Sequence, residues 1–311
     1  LAGEFPDSPD LARFWQNVRD ARTCTGPIPD ARGFAQQVRG AHTRTGQRIA
    51  DAGGFISDVD LFDPVLFRMS KAEADTADPQ LRVLLRTAWR AVEDAAYTPE
   101  TLSERRVGVF VGAMNEDFTW ITAERQAITE RYVGPGSVAS ELANRLSFLM
   151  NLRGPSLTLS TACSAALTAL HLARRAILDG DCEAALVGGI NLSLHPVKYR
   201  LLDDMKVLSP DGRERAFDDA ANGLVPSEGA CVVVLKRLDL AIADGDHIHG
   251  VIRASRISHS GTGAGQFIPN LRAMEDTVAE CIEEAGVAAG EIGYIECHGT
   301  GTELGDPIEL K

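Results

Sequence analysis

In Ser156-Leu-Thr-Leu-Ser-Thr-Ala-Cys-Ser-Ala-Ala-Leu167, a strand over 156–161 runs directly into a helix over 164–178, and Cys163 stands at the junction. A sharp strand-to-helix turn of this kind pushes a side chain into the open, as in a nucleophile elbow. The small neighbours Ala162, Ser164, Ala165 and Ala166 let substrate and backbone come close. The helix N-terminus supplies unpaired N–H groups and a positive dipole end, both of which favour the thiolate, the reactive form of cysteine. The same backbone donors, the Cys163 N–H among them, suit a developing oxyanion. Most free cysteines are small buried hydrophobes, and Cys182, Cys231 and Cys281 are read that way. For Cys163 the junction reverses the odds.

Outward from this junction, strands and helices alternate. A short amphipathic helix over 11–22 precedes an irregular stretch to Gly54. A helix over 80–96 carries Leu81, Leu84, Leu85, Ala88, Trp89 and Val92 at helical spacing, with Pro79 near its first turn. Strands are expected over 107–112, 184–191, 230–236, 249–257 and 292–297, and helices over 137–151 and 274–285. In the helix over 164–178, Leu167, Leu170, Leu172 and Ile177 are expected to face mostly inward. Such alternation predicts an α/β fold with a mostly parallel sheet covered on both faces.

A second chemical stretch is Ile295-Glu-Cys-His-Gly-Thr-Gly-Thr-Glu-Leu-Gly-Asp-Pro307. A strand meets His298 and then a Gly/Thr loop that would admit a narrow ligand. The spacing of Gly299, Gly301 and Gly305 misses the dinucleotide fingerprint by one residue, and Pro307 interrupts an early helix. Paired with a poised cysteine, His298 is a candidate acid–base group. His247, His249 and His259 lie close together but lack an acidic partner at metal-ligand spacing, so no metal site is expected.

Bulk properties narrow the field. The 311 residues are 44% hydrophobic and 24% charged, the balance of a globular protein, with a formal net charge of −13. Without a basic stripe, nucleic acid is not an expected partner. Six scattered cysteines without a CxxC pair argue against a disulfide framework. No apolar run is long enough to span a bilayer, and no signal peptide is visible at the start, so a cytoplasmic setting is expected.

Thr161-Ala-Cys-Ser-Ala-Ala-Leu167 and His298-Gly-Thr-Gly-Thr302 together resemble the β-ketoacyl synthases, most of all the ketosynthase domains of modular type I polyketide synthases. Asn144-Arg-Leu-Ser147, Leu208-Ser-Pro-Asp-Gly212, Ala221-Asn-Gly223, Glu228-Gly229 and Gly305-Asp-Pro-Ile-Glu309 fall in the family's order. The resemblance covers nearly the whole chain. It implies a thiolase-type fold with αβαβα layers, incomplete here at both ends. Residues 1–248 would be the first half, lacking its first strand, and 249–311 the start of the second.

The resemblance further implies that Cys163 takes an acyl group from an acyl carrier protein as a thioester. Decarboxylation of a malonyl-type extender then gives a carbanion that attacks that group. His298 would stabilise the enolate, and Thr300 and Thr302 would contact the phosphopantetheine arm, which the carrier protein supplies; no cofactor is bound directly. Met114 matches a segment beside the acyl pocket at the interface of a homodimer. Adjacent synthase domains such as an acyltransferase are the other implied partners. Asp306 and Glu309 fit either the family's buried polar network or the first turn of a helix.

The chain departs from the family's usual pattern at Ser160, where Asp is usual, and at Cys297, where Ala is usual. It ends before the family's second catalytic histidine and its lysine. Two other readings therefore stand beside condensation: a non-elongating ketosynthase that only transfers acyl chains, and a silent scaffold partner in a synthase dimer. Cys163 speaks against the second. The segment Leu194-His-Pro-Val-Lys-Tyr199 resembles ketosynthases of assembly lines whose acyltransferase is a separate protein.

Overall fold

The computed structural model describes residues 1–43, 46–129, 136, 138–263, 265 and 268–311, with backbone alone for 125–129. The chain divides into two compact units, one comprising Leu1–Phe34, Gly53–Lys198 and Ser227–Ile248, the other Ala35–Ala52, Tyr199–Pro226 and His249–Lys311.

The first unit is built on five strands: β1 (Ala2–Glu4), β2 (Val107–Ala113), β3 (Ser156–Leu159), β4 (Ala184–Asn191) and β5 (Gly229–Lys236). They lie in the order β1-β5-β4-β2-β3. The central strand β2 is buried at every residue, which is why it reads as an unbroken apolar run. It runs parallel to β3 and β4, whereas β5 runs antiparallel to β4 and β1. The sheet is thus mixed where a mostly parallel one was expected. Apolar patterning marks a strand as buried and is silent about its direction.

The main helices are α1 (Leu11–Arg19), α2 (Pro79–Asp94), α3 (Asp117–Thr129), α4 (Ser140–Leu149) and α5 (Ala165–Leu178). Ser137, the expected first residue of the fourth, lies outside the described residues. On one face of the sheet, Leu81, Leu84 and Leu85 of α2 and Leu142 and Leu146 of α4 pack with Val107, Val109 and Val111. Each such fully buried side chain stabilises by roughly 1.5–3 kcal/mol. On the other face, Ala169, Ala173 and Ile177 of α5 meet Phe110, Ala185 and Val187.

The inward stripe of α5 is therefore alanine-rich. Leu170 and Leu172 are only partly buried, and Leu167, expected to face inward, is 71% exposed. The reason is closeness: a Cβ on Gly112 would lie 2.4 Å from the Ala165 carbonyl carbon, and one on Gly189 would lie 2.8 Å from the Ala166 Cβ. A leucine facing the sheet at the start of α5 would not fit.

The opening residues add a strand that the sequence pattern does not predict: Ala2–Glu4 is registered on Ala230–Val232. Its pattern was illegible because the strand is three residues long and ends in a buried glutamate. Glu4 is tolerated there because Arg86 (2.6 Å) and Arg90 (2.9 Å) neutralise it.

In the second unit, α7 (Leu271–Ala285) is capped by Asn270 and ends at the left-handed Gly286. Helix α6 (Val197–Asp204) starts in the last residues of the first unit and continues into the second, and a short helix, α8 (Gly305–Glu309), follows the His298 loop. The strands expected over 249–257 and 292–297 are not formed; both stretches are irregular, with Ile295 and Tyr294 well exposed. A strand exists only where a neighbour completes its ladder, and none of the described residues does so here. Among the described residues, no helix is long and apolar enough to cross a membrane.

Candidate active site

Cys163 is exposed and free of disulfide, four residues beyond the end of β3. Ala162 before it adopts φ +53°, a left-handed backbone rare for a residue with a Cβ. That turn reverses the chain so that α5 begins at Ala165. It is held by the Ala165 N–H on the Ala162 carbonyl (3.1 Å) and the Ser164 hydroxyl on the Thr161 carbonyl (2.9 Å). Thr161 donates to the Thr168 hydroxyl (3.0 Å). Strain at a chemical position persists only where the surroundings enforce it, and the Gly112 contact provides that enforcement.

The C-terminal ends of β2, β3 and β4 lie side by side, with Gly112 registered on both Leu159 and Gly189. The loops that follow them are wired to the first turn of α2. Asp78 caps that turn by accepting from the Gln80 N–H (2.8 Å). The Gln80 side chain then donates to the Asn115 carbonyl (2.9 Å) and accepts from the Leu192 N–H (3.2 Å). Met114, 41% exposed, immediately follows β2 and so stands at this same end. The side-chain amide of its neighbour Asn115 donates to Asn191 Oδ1 (2.9 Å).

Beneath these loops lie charges that sequence reading passed over. The Lys198 ammonium, in the first turn of α6, reaches Asn191 Oδ1 (3.0 Å), Ser193 Oγ (3.0 Å) and the Leu192 carbonyl (3.4 Å). Glu228 accepts from the backbone of Ser193 (2.9 Å) and Ile56 (2.7 Å) and pairs with Arg32 (2.5 Å). Asp117 accepts from the Leu194 and His195 N–H groups. Burial pushes Lys198 below the usual lysine range, against the pull of Asp117, Glu228 and Cys163. Burial pushes Glu228 up, and Arg32 and its backbone donors pull it back. The available signal was a lysine within the segment Leu194–Tyr199, which drew notice only for its resemblance to certain ketosynthases.

In the second unit, His298 is exposed at the start of the Gly/Thr loop. The Glu309 carboxylate accepts from the His298 and Gly299 N–H groups with its two oxygens. Thr300 and Thr302 hydroxyls pair with each other (3.1 Å), and Thr302 accepts from the Gly305 N–H (3.1 Å). Gly301 adopts φ +64°, and a Cβ there would lie 2.4 Å from Glu214 Oε1. Its carbonyl accepts from Gly223, while Glu214 holds Val225 and the buried Asp306 holds the Phe217 N–H (2.6 Å). Asp306 and Glu309, undecided between network and helix turn, thus both spend their carboxylates on loop backbone. Burial, reinforced by the Asp306 charge, raises Glu214 above the usual glutamate range.

The two stretches fall in two successive domains of one family. The β-ketoacyl synthase N-terminal domain matches residues 1–241, and the β-ketoacyl synthase C-terminal domain matches residues 249–311. Polyketide synthase PksL of Bacillus subtilis is 42% identical over 318 residues, covering 100% of this chain and 7% of that protein. Polyketide synthase ThaG of Burkholderia thailandensis is 44% identical over 314 residues, again with 100% of this chain but 6% of that protein. The oxazolomycin ketosynthase domain OzmH KS7 of Streptomyces albus superposes with a TM-score of 0.93 at 43% identity, over 99% of this chain and 54% of that one. The ketosynthase from module 6 of the bacillaene synthase of Bacillus subtilis gives 0.89 at 36% identity, over 99% and 52%. The chain therefore spans about half of these solved ketosynthases and less than a tenth of the curated synthases. With both family domains matched in order and the thiolase-type α/β fold of its structural neighbours, the chain belongs to the β-ketoacyl synthase family, in its polyketide synthase branch.

Proposed function

We propose that this chain carries the nucleophilic half-reaction and part of the decarboxylative half-reaction of a polyketide ketosynthase. The carrying observation is Cys163, exposed on a strained turn at the start of a helix that is pressed onto the sheet. The Cys163 thiolate attacks the carbonyl carbon of an acyl group held on the phosphopantetheine thiol of an acyl carrier protein. Backbone N–H groups at the start of α5, that of Cys163 among them, take the developing oxyanion. The carrier thiolate leaves with a proton from solvent, and the acyl group stays on Sγ.

In the second half-reaction a malonyl-type thioester loses carbon dioxide. The electron pair released forms an enolate that attacks the Cys163 thioester, making the carbon–carbon bond and freeing the thiolate. His298 stabilises that enolate, Glu309 fixing the backbone that presents it, and Thr300 and Thr302 bind the arm. The exposed Met114, Phe148 and Leu167, together with the edge position of β3 in the sheet, support a homodimer. The scattered free thiols fit a cytoplasmic setting.

The deciding experiment is intact-protein mass after incubation with an acyl thioester. A gain of one acyl group that Cys163→Ala abolishes establishes the nucleophile. No gain in a folded sample across several acyl lengths moves the chain to the silent-scaffold reading. His298→Ala should load normally but decarboxylate slowly; a normal condensation rate in that variant removes its assigned role.

A further inference from the structure

Lys198 has no part in the steps above, yet it is a buried cation at the nucleophile's end of the sheet. The first turn of α5 rests on Gly112 and Gly189 through Ala165 and Ala166, two and three residues past Cys163. Asn191, which holds the ammonium, lies two residues past Gly189 on β4. Both are therefore anchored on the same glycine step of adjacent parallel strands.

The three oxygens around the ammonium are neutral. The carboxylates that face it are already engaged: Asp117, at the start of α3, by two backbone N–H groups, and Glu228, ahead of β5, by two more and by Arg32. Further out stand Asp78 at the cap of α2 and His195, which faces Glu124 (3.4 Å). Fixed N–H dipoles and Arg32 absorb much of the field of the two anions, whereas among the described residues no carboxylate lies within ion-pair distance of the ammonium. Charge interaction between Lys198 and Cys163 accompanies this geometry.

We propose that Lys198 is a positioning residue for the ketosynthase reaction: its buried ammonium stabilises the Cys163 thiolate across the end of the sheet and so sets the pH at which the nucleophile is armed. The thiol proton is lost to solvent, and the ammonium keeps its own. A buried charge acts more strongly here than a surface one because water screens it less. The inference rests on Cys163 being the nucleophile, and its test separates the two claims.

The test is the pH profile of iodoacetamide alkylation at Cys163, followed by mass of the peptide bearing it, in the full-length protein that carries this chain. Lys198→Met should move the profile to higher pH and slow alkylation at pH 7 by about ten-fold, the factor for one unit. Lys198→Arg should restore the wild-type profile. Asp117→Asn, which keeps an acceptor for Leu194 and His195 but removes an anion, should move it to lower pH. An unmoved profile in Lys198→Met with a native melting curve overturns the proposal. Should that variant not fold, an Asp117→Asn profile that stays in place or moves to higher pH overturns it instead. Acyl loading lost in Cys163→Ala would leave the nucleophile standing in every one of these outcomes.

Discussion

Cys163 and His298 are presented by two different kinds of support. The cysteine turn is backed by main chain: the start of α5 lies against Gly112 so closely that the nearest atoms are Ala165 C and Ala166 N. The histidine loop is backed by side chains, with Glu309, Asp306 and Glu214 each spending a carboxylate on loop N–H groups or on the turn around Gly301. Backbone against sheet leaves no freedom for the Cys163 turn, which must hold a strained φ at Ala162. Carboxylate staples are softer and depend on charge. The difference is one of kind: main-chain packing fixes the Cys163 turn, whereas charge holds the His298 loop.

The largest effect should come from breaking the rigid support. Gly112→Val puts atoms where backbone stands at 2.4 Å, and no side-chain rotation relieves it. A loss of about 3 kcal/mol or more in urea unfolding is expected, along with acyl loading. Gly301→Ala meets only the end of the Glu214 side chain but must hold φ +64°, so a loss of about 1 kcal/mol or somewhat more is expected. Equal losses in the two variants would erase the distinction between the supports.

The pH dependence sharpens it next. Burial, with the nearby Asp117 charge, pushes Asp78 from 3.8 up to about 6, against the Gln80 N–H that lowers it. The folded protein therefore holds this proton more tightly than the unfolded chain. The resulting stability is complete below the unfolded value near 3.8 and is lost as pH rises through about 6. Asp78→Asn keeps the cap and should flatten the stability curve across that window by about 3 kcal/mol, the equivalent of two units. A denaturation series against pH reads this directly.

Glu309→Gln should be felt in chemistry more than in stability. It exchanges two charge-assisted bonds for one neutral acceptor, and decarboxylation should slow by about ten-fold with acyl loading intact. Loading that fell in parallel would tie the two regions together. The smallest effect is expected for Thr302→Val, which removes a hydroxyl bonded to Gly305 N and Thr300. A rise in KM for carrier-bound substrate of about three- to ten-fold, with kcat kept, would match one lost hydrogen bond.

The two stretches that carry the proposed chemistry were legible from residues alone because each is local. A strand that turns into a helix of small residues at a cysteine, and a histidine before a Gly/Thr loop, keep their meaning within about a dozen positions. The elements β2, β4, β5, α2 and α7 were equally legible, since burial imposes its period on neighbouring residues.

Partnership across the chain was not legible, and only the tertiary structure decided it. Whether 249–257 and 292–297 become strands depends on a ladder partner, and whether Leu167 faces inward depends on how near Gly112 lets α5 approach. A buried charge such as Lys198 or Glu4 reads as a surface residue until its partners, up to 86 positions away for Glu4, are brought against it. Local pattern fixes what a segment is able to be; desolvation and close packing, which are properties of the folded whole, fix what it becomes.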